Sequence, residues 1–468
     1  MNDPLYFGDM QCFPVAIKQI QILLYLTVIF ATPVIAQSNL ENLLEIGIAN
    51  YPTIRASQLR TNAAQTAISY EQRDLIPRLS LSYQANLATH NNIAGMYYPG
   101  FIMPISGPVR EENNYRTFAG SATSLLLTWN PFTFGKRSSR VQHARSQAEE
   151  TMHIEELILF EFKVRFIEAY LNYFEFMALE EVQESEIDRL NFNLLLSRGL
   201  TESGLRPGVD SSLVKAELSK ATIELLNIRN ERNQVREQIY EYLTSSQQQL
   251  PEKEEEFLTR TDLYLSFDAA GEIHPRLNLA SQQRHSLESE LKVIRRNLRP
   301  DLTFWSTGFA RGSSVSFGNN PINNYDGLNL SMVNYGAGFQ ISLPLLDFAR
   351  TSSLLKLNEY HISALKEQED QIVLELNRDR NIALLTFDNA RESIKHTRIF
   401  LEHSEYSVET IHAMYEAGLI DLSEVLQSQY QLKRAEYDEV RSRIDLWRSL
   451  LYLAAVEGDI EIFLEQTR

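Results

Sequence analysis

Most of the chain carries apolar residues at helical spacing, but one segment in each half changes to strict alternation. In residues 78–87, apolar or small side chains occupy the odd positions, and polar side chains, Ser80, Ser82, Gln84 and Asn86, lie between them. A two-residue period predicts a strand with one apolar and one polar face. The same period recurs at 335–343 and predicts a strand there, and further strands are predicted near 120–129 and 302–309. Each half is therefore expected to contribute one hairpin with a long loop.

Two uninterrupted stretches, 135–198 and 350–415, contain no proline and no internal glycine. Each permits about 60 residues of helix, roughly 90–95 Å long. Short turns at 199–208 and 417–421 are predicted to join them to return helices. These return helices are predicted at 209–243 and 422–457, and a shorter helix over 40–76 is predicted to end at Pro77. Helices of this length are typical of bundles and coiled coils.

The chain also contains an internal two-fold repeat. Pro52 and Pro77 are 25 residues apart, and so are Pro275 and Pro300. Two further segments recur in the same order. Pro131-Phe-Thr-Phe-Gly-Lys-Arg137 corresponds to Pro344-Leu-Leu-Asp-Phe-Ala-Arg350, and Ser203-Gly204-Leu205 corresponds to Ala417-Gly418-Leu419. Landmarks kept in one order indicate a duplicated structural unit.

The repeat predicts an α+β fold, mainly helical, with a defined domain organisation. The first repeat is expected at 37–250, with a strand hairpin at about 78–129 and a long helix pair at about 135–243. A connector follows at 251–269; the sequence is Ser/Gln-rich at 244–249, just before it, and Glu-rich at 252–256, within it. The second repeat is expected at 270–468, with its strand hairpin at about 301–343 and its helix pair at about 350–457.

The amino-terminal segment has the pattern of an export signal. Lys18 precedes a short apolar run at 20–31, and Val34-Ile35-Ala36 supplies the small-residue end. This pattern predicts a signal peptide over residues 1–36, cleaved after Ala36. The alternative is a signal anchor that stays attached, although the run is shorter than the roughly 20 residues of a spanning helix. The single cysteine, Cys12, lies in this segment.

Charge and motifs exclude several classes of function. The chain has 44 Lys+Arg against 61 Asp+Glu, a net charge of −17, so no general attraction to nucleic acid is expected. Nucleotide-binding, hydrolase and zinc-protease motifs are absent from the sequence. Glu150-x-x-His153 and Glu409-x-x-His412 match the spacing of di-iron bundles. The repeat places them about 45 residues apart along the helix, so we interpret them as solvated helix residues. We predict no enzyme, no cofactor and no metal site.

Four strands per chain raise the problem of unpaired edges. If the strands span a membrane, one chain has too few of them to close a barrel. An open sheet in lipid leaves backbone groups unpaired, so several copies must share one barrel: two copies supply eight strands and three supply twelve. Aromatic residues near strand ends suit a membrane interface; they are Tyr83, Trp129, Trp305 and Phe309. The alternative is a soluble pair of hairpins that caps a helical rod.

With these features together, the sequence resembles the TolC family of bacterial outer-membrane efflux proteins over about 38–460. The likeness rests on the duplicated plan, on the two segments that close each hairpin and on the two Gly-Leu turns. The resemblance implies a homotrimer with a shared 12-stranded barrel in outer-membrane lipid and a tunnel of twelve helices in the periplasm. It also implies passive export with an inner-membrane pump and a periplasmic adaptor. A soluble periplasmic coiled-coil tether or adaptor without a pore is the alternative function.

The resemblance also assigns candidate site residues. The family's adaptor-docking tips fall on Ser203, Gly204 and Leu205 and on Ala417, Gly418 and Leu419. An exposed leucine offers an anchor there, and the alternative is that glycine merely ends a helix.

The family also places acids near the periplasmic constriction, six residues past the second Gly-Leu glycine. This position is Glu424, and a second acid three residues on is replaced by Gln427. Asp210 is the first-repeat equivalent and is expected to be a helix N-cap. Asp421 is expected either to cap the return helix or to line the pore.

Overall fold

The computed structural model describes residues 39–89, 91, 111–203, 208–245, 249–253, 255–263, 273–314 and 324–468. The helices are α1 (Asn39–Asn50), α2 (Pro52–Gln72), α3 (Lys136–Glu202), α4 (Val209–Leu243), α5 (Pro275–Asn297), α6 (Asp347–Glu416), α7 (Leu422–Glu457) and α8 (Glu461–Leu464). The strands are β1 (Arg78–Thr89), β2 (Thr117–Phe132), β3 (Asp301–Ser313) and β4 (Met332–Ser342). Three short 3-10 helices span Arg73–Leu75, Glu256–Thr259 and Asn324–Leu328.

The predicted fold class is confirmed: the described chain is mainly helical, with two strand hairpins and two long helix pairs. Two local predictions are wrong. The helix expected over 40–76 is broken at Tyr51, because Pro52 starts a new helix and cannot donate its own backbone N–H. The turn expected from residue 199 begins later, because α3 continues through Gly199 to Glu202. The predicted signal peptide lies outside the described residues.

The four strands form one antiparallel sheet in the order β1-β2-β3-β4. β1 pairs with β2 over its whole length, from Arg78 opposite Thr128 to Thr89 opposite Thr117. β3 and β4 pair from Asp301 opposite Ser342 to Arg311 opposite Met332. Within the described residues, β1 and β4 are therefore the edges of the sheet.

Contacts divide the chain into two compact units, and α2, α3 and α6 run through both. Unit 1 contains residues 1–56, 156–275 and 372–468, and unit 2 contains residues 57–155 and 276–371. Unit 2 holds the sheet, and unit 1 holds the large helical core. Among the described helices, none has an apolar stretch suited to crossing a membrane.

The core of unit 1 is aromatic. Phe162, Phe166, Tyr170 and Phe174 repeat every four residues on one face of α3, and each is less than 5% exposed. Trp447 of α7 is fully buried, with its ring centroid 5.0 Å from that of Phe257. Residues four apart share one helical face, so this spacing places the row in the core.

The segment between the two repeats takes part in this core. Phe257 and Leu258, on the 3-10 helix Glu256–Thr259, are both buried. Tyr170 donates its hydroxyl hydrogen to the carboxylate of Glu255. Burial raises the pKa of both groups. The acidic segment therefore also packs apolar side chains against the helical core and contacts both α3 and α7. We call residues 255–259 the strap.

Within unit 2, polar contacts join α5 to both long helices, α3 and α6. Gln282 donates to the Ser146 carbonyl at 3.0 Å and to Glu149 Oε2 at 3.1 Å. On the other side, Arg284 Nε donates to Glu369 Oε1 at 2.8 Å. Since α5 contacts α3 through one residue and α6 through the other, it links the two long helices beside the sheet.

A tight turn leads from β2 into α3. Phe134 and Gly135 both have positive φ, 49° and 89°. This backbone conformation favours glycine at position 135, and a Cβ there would also displace the Arg296 guanidinium, whose Nη1 would lie 2.1 Å away. Arg299 Nη1 donates to the Phe134 carbonyl at 2.9 Å. Lys136 also forms an ion pair with Asp301 at 2.6 Å. The repeated segment 131–137 therefore connects the end of β2 to the start of β3.

Candidate functional site

One face of the sheet is an exposed apolar surface. Pairing places the odd-numbered residues of β1 opposite Leu125 and Leu127 of β2, and the register continues this face to Phe304 of β3 and Phe339 of β4. The rings of Phe304 and Phe339 are 5.2 Å apart. The side chains of this surface include Leu79, Leu81, Tyr83, Leu87, Val333, Tyr335, Phe339 and Ile341, all more than 60% exposed. Water does not favour so large a continuous apolar surface.

The opposite face is mainly polar and small. It carries Ser80, Ser82, Gln84, Asn86, Ser124, Thr307, Asn334 and Gln340. Trp305 lies on this face against Gly336 and Gly338, and a Cβ added to Gly338 would sit 3.0 Å from the indole ring. The register places Tyr83 and Trp129 on the apolar face but Trp305 and Phe309 on the polar one. The four aromatic residues thus do not form one belt.

The second predicted tip is a defined helix end. Gly418 has φ 74°, its N–H donates to the Tyr415 carbonyl at 2.9 Å, and the Leu419 N–H donates to the Met414 carbonyl at 3.0 Å. These two bonds form a Schellman motif, which explains the glycine. In this motif the following residue commonly packs back on the helix. Leu419 instead is 71% exposed. The turn therefore ends a helix and also presents an apolar side chain next to Ala417.

The first predicted tip is described only in part. Ser203 follows α3, and its hydroxyl donates to the Gly199 carbonyl at 2.7 Å. Gly204 and Leu205 lie outside the described residues. α4 begins with Gly208 as its N-cap. The expectation that Asp210 caps this helix is therefore wrong: Asp210 lies inside the first turn, where a carboxylate faces the favourable end of the helix dipole.

The two other candidate acids flank the start of α7. Asp421 occupies the N-cap position with extended backbone, but its side chain makes no capping hydrogen bond. Its carbonyl instead accepts a hydrogen bond from the Glu424 N–H at 3.1 Å. Glu424 is exposed in the first turn. Backbone geometry thus makes residue 421 the helix start, and the carboxylate of Glu424 faces solvent in the single chain.

A buried apolar cluster brings the starts of both return helices together in unit 1. Val214 of α4 and Val425 of α7 are almost fully buried in it, together with Leu190 of α3 and Tyr415 of α6. Val214 is four residues past Asp210, and Val425 directly follows Glu424. The candidate acids of the two repeats therefore belong to one packed region.

A ladder of polar contacts joins α3 to α7 beside this cluster, and sequence analysis did not predict it. Asn193 Nδ2 donates to Gln429 Oε1 at 2.7 Å. Arg189 binds the Glu436 carboxylate through two bonds of 2.9 and 2.7 Å. One step further, the Tyr437 hydroxyl donates to Gln183 Oε1 at 2.7 Å. As residue numbers fall along α3, the numbers of their partners on α7 rise, because the two helices are antiparallel.

The ladder is partly buried, and its charges are compensated. Burial raises the pKa of Glu186, while the guanidinium of Arg189 at 3.0 Å opposes this shift. Burial also disfavours charged Arg189, but the carboxylates of Glu436 and Glu186 together outweigh that effect and raise the pKa of Arg189. Buried polar residues paired this way fix the register of two helices more than they add stability. Polar residues at buried helical positions are the sequence signal for such a ladder.

One member of the candidate metal pairs, His412, is engaged in other contacts. His412 Nε2 is hydrogen bonded to Asn193 Oδ1 at 3.1 Å, and its ring lies 5.6 Å from that of Phe192. Over the ranges that the structure describes, no three histidine, cysteine or carboxylate side chains group as metal ligands would.

The sequence model of the outer membrane efflux protein family matches residues 43–245 and 268–459. The chain belongs to this family, and the resemblance read from its motifs is confirmed. The match falls in two segments, which confirms the internal repeat. No curated protein sequence matches the chain.

Solved structures share the fold at low identity. VceC, an outer membrane protein of Vibrio cholerae, is 14% identical with a TM-score of 0.70, covering 90% of this chain and 96% of VceC. The CmeC outer membrane channel of Campylobacter jejuni is 11% identical with a TM-score of 0.72, covering 90% and 86%. CusC is 13% identical with a TM-score of 0.73, covering 91% and 93%. At these identities the likeness concerns the fold.

Proposed function

We propose that three copies of this chain form the outer-membrane exit duct of an export system. A pump in the inner membrane and a periplasmic adaptor deliver small molecules or proteins to it. The observation that carries the proposal is the four-stranded sheet with one exposed apolar face and two edges that no other described strand pairs with. In lipid, unpaired edge groups cost several kcal/mol each, so neighbouring copies pair β1 with β4 and close a barrel of twelve strands.

The faces and ends of the sheet suit this arrangement. The apolar face contacts lipid, and the polar face lines the lumen, as in other transmembrane barrels. In unit 2, the described α-helices join the sheet at the end where β1 and β3 begin and β2 and β4 end. That end faces the periplasm, and the mature chain starts after the predicted signal peptide, at residue 37. A duct of this kind is passive, so no catalytic residue is assigned.

The exposed apolar face also separates this proposal from the alternative of a soluble periplasmic tether. A soluble tether would leave this whole surface in water. Membrane fractionation distinguishes the two: the proposed duct sediments with outer membranes, whereas a tether stays in the soluble periplasmic fraction.

A proline scan along β1 tests the shared barrel. Proline is expected to abolish the trimer at each of Ser80, Leu81, Ser82 and Tyr83. Backbone N–H groups alternate between the two sides of a strand, so two of these positions disrupt pairing with β2 and the other two disrupt pairing with the next copy. Trimers are counted by native mass spectrometry of the detergent-extracted protein.

An open edge gives a different result in the same scan. Proline is tolerated at edge positions whose N–H points away from the sheet. Undiminished trimer at every second position would therefore contradict pairing between β1 and its neighbour. Alanine at Ser80 and at Ser82 serves as the control and is expected to leave the trimer intact.

The tips are proposed to dock the adaptor through Leu419, together with Ala417, Gly418 and the first-repeat residues Ser203, Gly204 and Leu205. Leu419→Asp is expected to weaken docking by about 2 kcal/mol, roughly thirtyfold in affinity, because it removes an exposed apolar anchor. Export is measured as clearance of a fluorescent pump substrate from cells. Leu419→Met is expected to retain export, and unchanged clearance with Leu419→Asp at equal trimer level would argue against the tip assignment.

Glu424 is proposed as the main acid of the periplasmic gate, with Asp421 and Asp210 as further candidates. Three Glu424 carboxylates in a ring attract cations. Glu424→Gln is expected to reduce cation selectivity in single-channel recordings under a salt gradient, seen as a reversal potential closer to zero. The same change at Glu392, an exposed carboxylate on α6, is the control. An identical reversal potential in both variants would remove Glu424 from the gate.

A further inference from the structure

A cavity lies at the foot of the apolar face, where β2 passes into α3. Its volume is about 380 Å³, and all of it belongs to unit 2. One wall is the end of β2 and the turn after it, including Phe132 and Phe134. The other wall is the first turns of α3, including Arg137, Gln142 and Arg145.

The charge of this cavity is uncompensated. Its lining contains two guanidinium groups, Arg137 and Arg145, and no carboxylate. Basic residues beside the cavity are neutralised: Lys136 pairs with Asp301 at 2.6 Å, and Arg140 pairs with Asp74 at 3.2 Å. By contrast, Arg137 Nη1 is buried and has no hydrogen-bond partner among the described residues. A guanidinium with a buried, unbonded nitrogen is costly to leave without an anion, and no carboxylate of the lining supplies one.

The cavity also adjoins the surface assigned to lipid. Phe132 pairs opposite Leu302, which lies opposite Ile341, so its ring is on the apolar face. Phe132 is 56% exposed, and its ring packs edge-on against Phe134 with centroids 4.6 Å apart. An amphiphile with an anionic head and an apolar tail matches this juxtaposition of two guanidinium groups and exposed phenyl rings.

We propose that this cavity binds the phosphate of an anionic phospholipid from the leaflet at the helical end of the sheet. Each chain would hold one headgroup with Arg137 and Arg145, while the acyl chains lie along Phe132 and the apolar face. Guanidinium groups bind phosphate oxygens through paired, charge-assisted hydrogen bonds. A free phosphate would satisfy the charge but leave the phenyl rings exposed, so the observations favour the lipid. The proposal rests on the proposed membrane-spanning function.

The test measures lipid binding to the purified trimer by native mass spectrometry. Phosphatidylglycerol, phosphatidylcholine and inorganic phosphate are the three probes. The doubly substituted protein Arg137→Gln, Arg145→Gln is expected to bind phosphatidylglycerol about a hundredfold more weakly, roughly tenfold for each lost charge-assisted contact. The matched control is Arg140→Gln, Arg295→Gln, which removes the same charge from paired arginines of unit 2 and is expected to keep binding.

Three results would overturn the lipid site. They are equal phosphatidylglycerol binding by both double variants, equal binding of phosphatidylcholine, and displacement of the lipid by millimolar inorganic phosphate. If the double variant does not assemble, Arg145→Gln alone decides the question, because this exposed side chain has no ion pair within the described ranges. A protein that forms no trimer at all counts against the proposed function instead, whereas intact trimers with unchanged lipid binding count against this site only.

Discussion

Leu81→Arg is expected to prevent stable insertion of the protein into the outer membrane. Leu81 is 76% exposed on the apolar face of β1 and lies opposite Leu125. Arginine on the lipid face of a barrel costs about 2–4 kcal/mol near the midplane, so three copies lose roughly 6–12 kcal/mol per trimer. We expect the heat-resistant trimer to disappear from isolated outer membranes, as measured on gels with and without boiling.

The neighbouring residue provides the control for this prediction. Ser82 is one position further along β1, so its side chain lies on the polar face. Ser82→Arg adds the same charge to the same strand but places it on the side assigned to the lumen. Its trimer level is expected to stay close to that of the unsubstituted protein. Equal loss in both variants, or equal tolerance, would show that the two faces do not differ in their surroundings.

Phe257→Ala is expected to destabilise the helical core of unit 1 by about 3–5 kcal/mol. The Phe257 ring is 3% exposed and packs edge-on against Trp447, which in turn contacts Phe463 at 5.5 Å between centroids. Removing the ring leaves a cavity beneath the strap between the repeats. The expected result is a lower unfolding temperature and faster proteolysis near residue 257, measured on the purified protein.

Glu256→Ala tests whether the strap acts through its apolar side chains. Glu256 is exposed on the same 3-10 helix, and its backbone carbonyl accepts a hydrogen bond from the Thr259 hydroxyl at 2.7 Å. Its loss is expected to leave the unfolding temperature unchanged. If Phe257→Ala has no larger effect than Glu256→Ala, the segment is a passive linker. A Phe257→Ala, Trp447→Ala double variant that loses less than the sum of both single changes would confirm the direct contact.

The expectations that succeeded rest on local patterns. The return helices were predicted at 209–243 and 422–457, and α4 and α7 have these bounds. Glycine and proline punctuate the chain at the ends of helices, and alternation marks strands, because backbone geometry and side-chain direction repeat over a few residues. The exact N-cap residue is a finer detail that these patterns did not give: Gly208 caps α4, whereas Asp210 was expected to.

The sequence alone determined the duplicated plan, the four strands with their apolar and polar faces, and the long helix pairs. These properties follow from the order of residues along the chain and from the fixed periods of helix and strand. Only the tertiary structure decided that Arg137 Nη1 is buried without a hydrogen-bond partner among the described residues. It also decided which distant residues meet, such as Arg189 with Glu436 and Phe257 with Trp447. These contacts join residues far apart along the chain, and no local period encodes them.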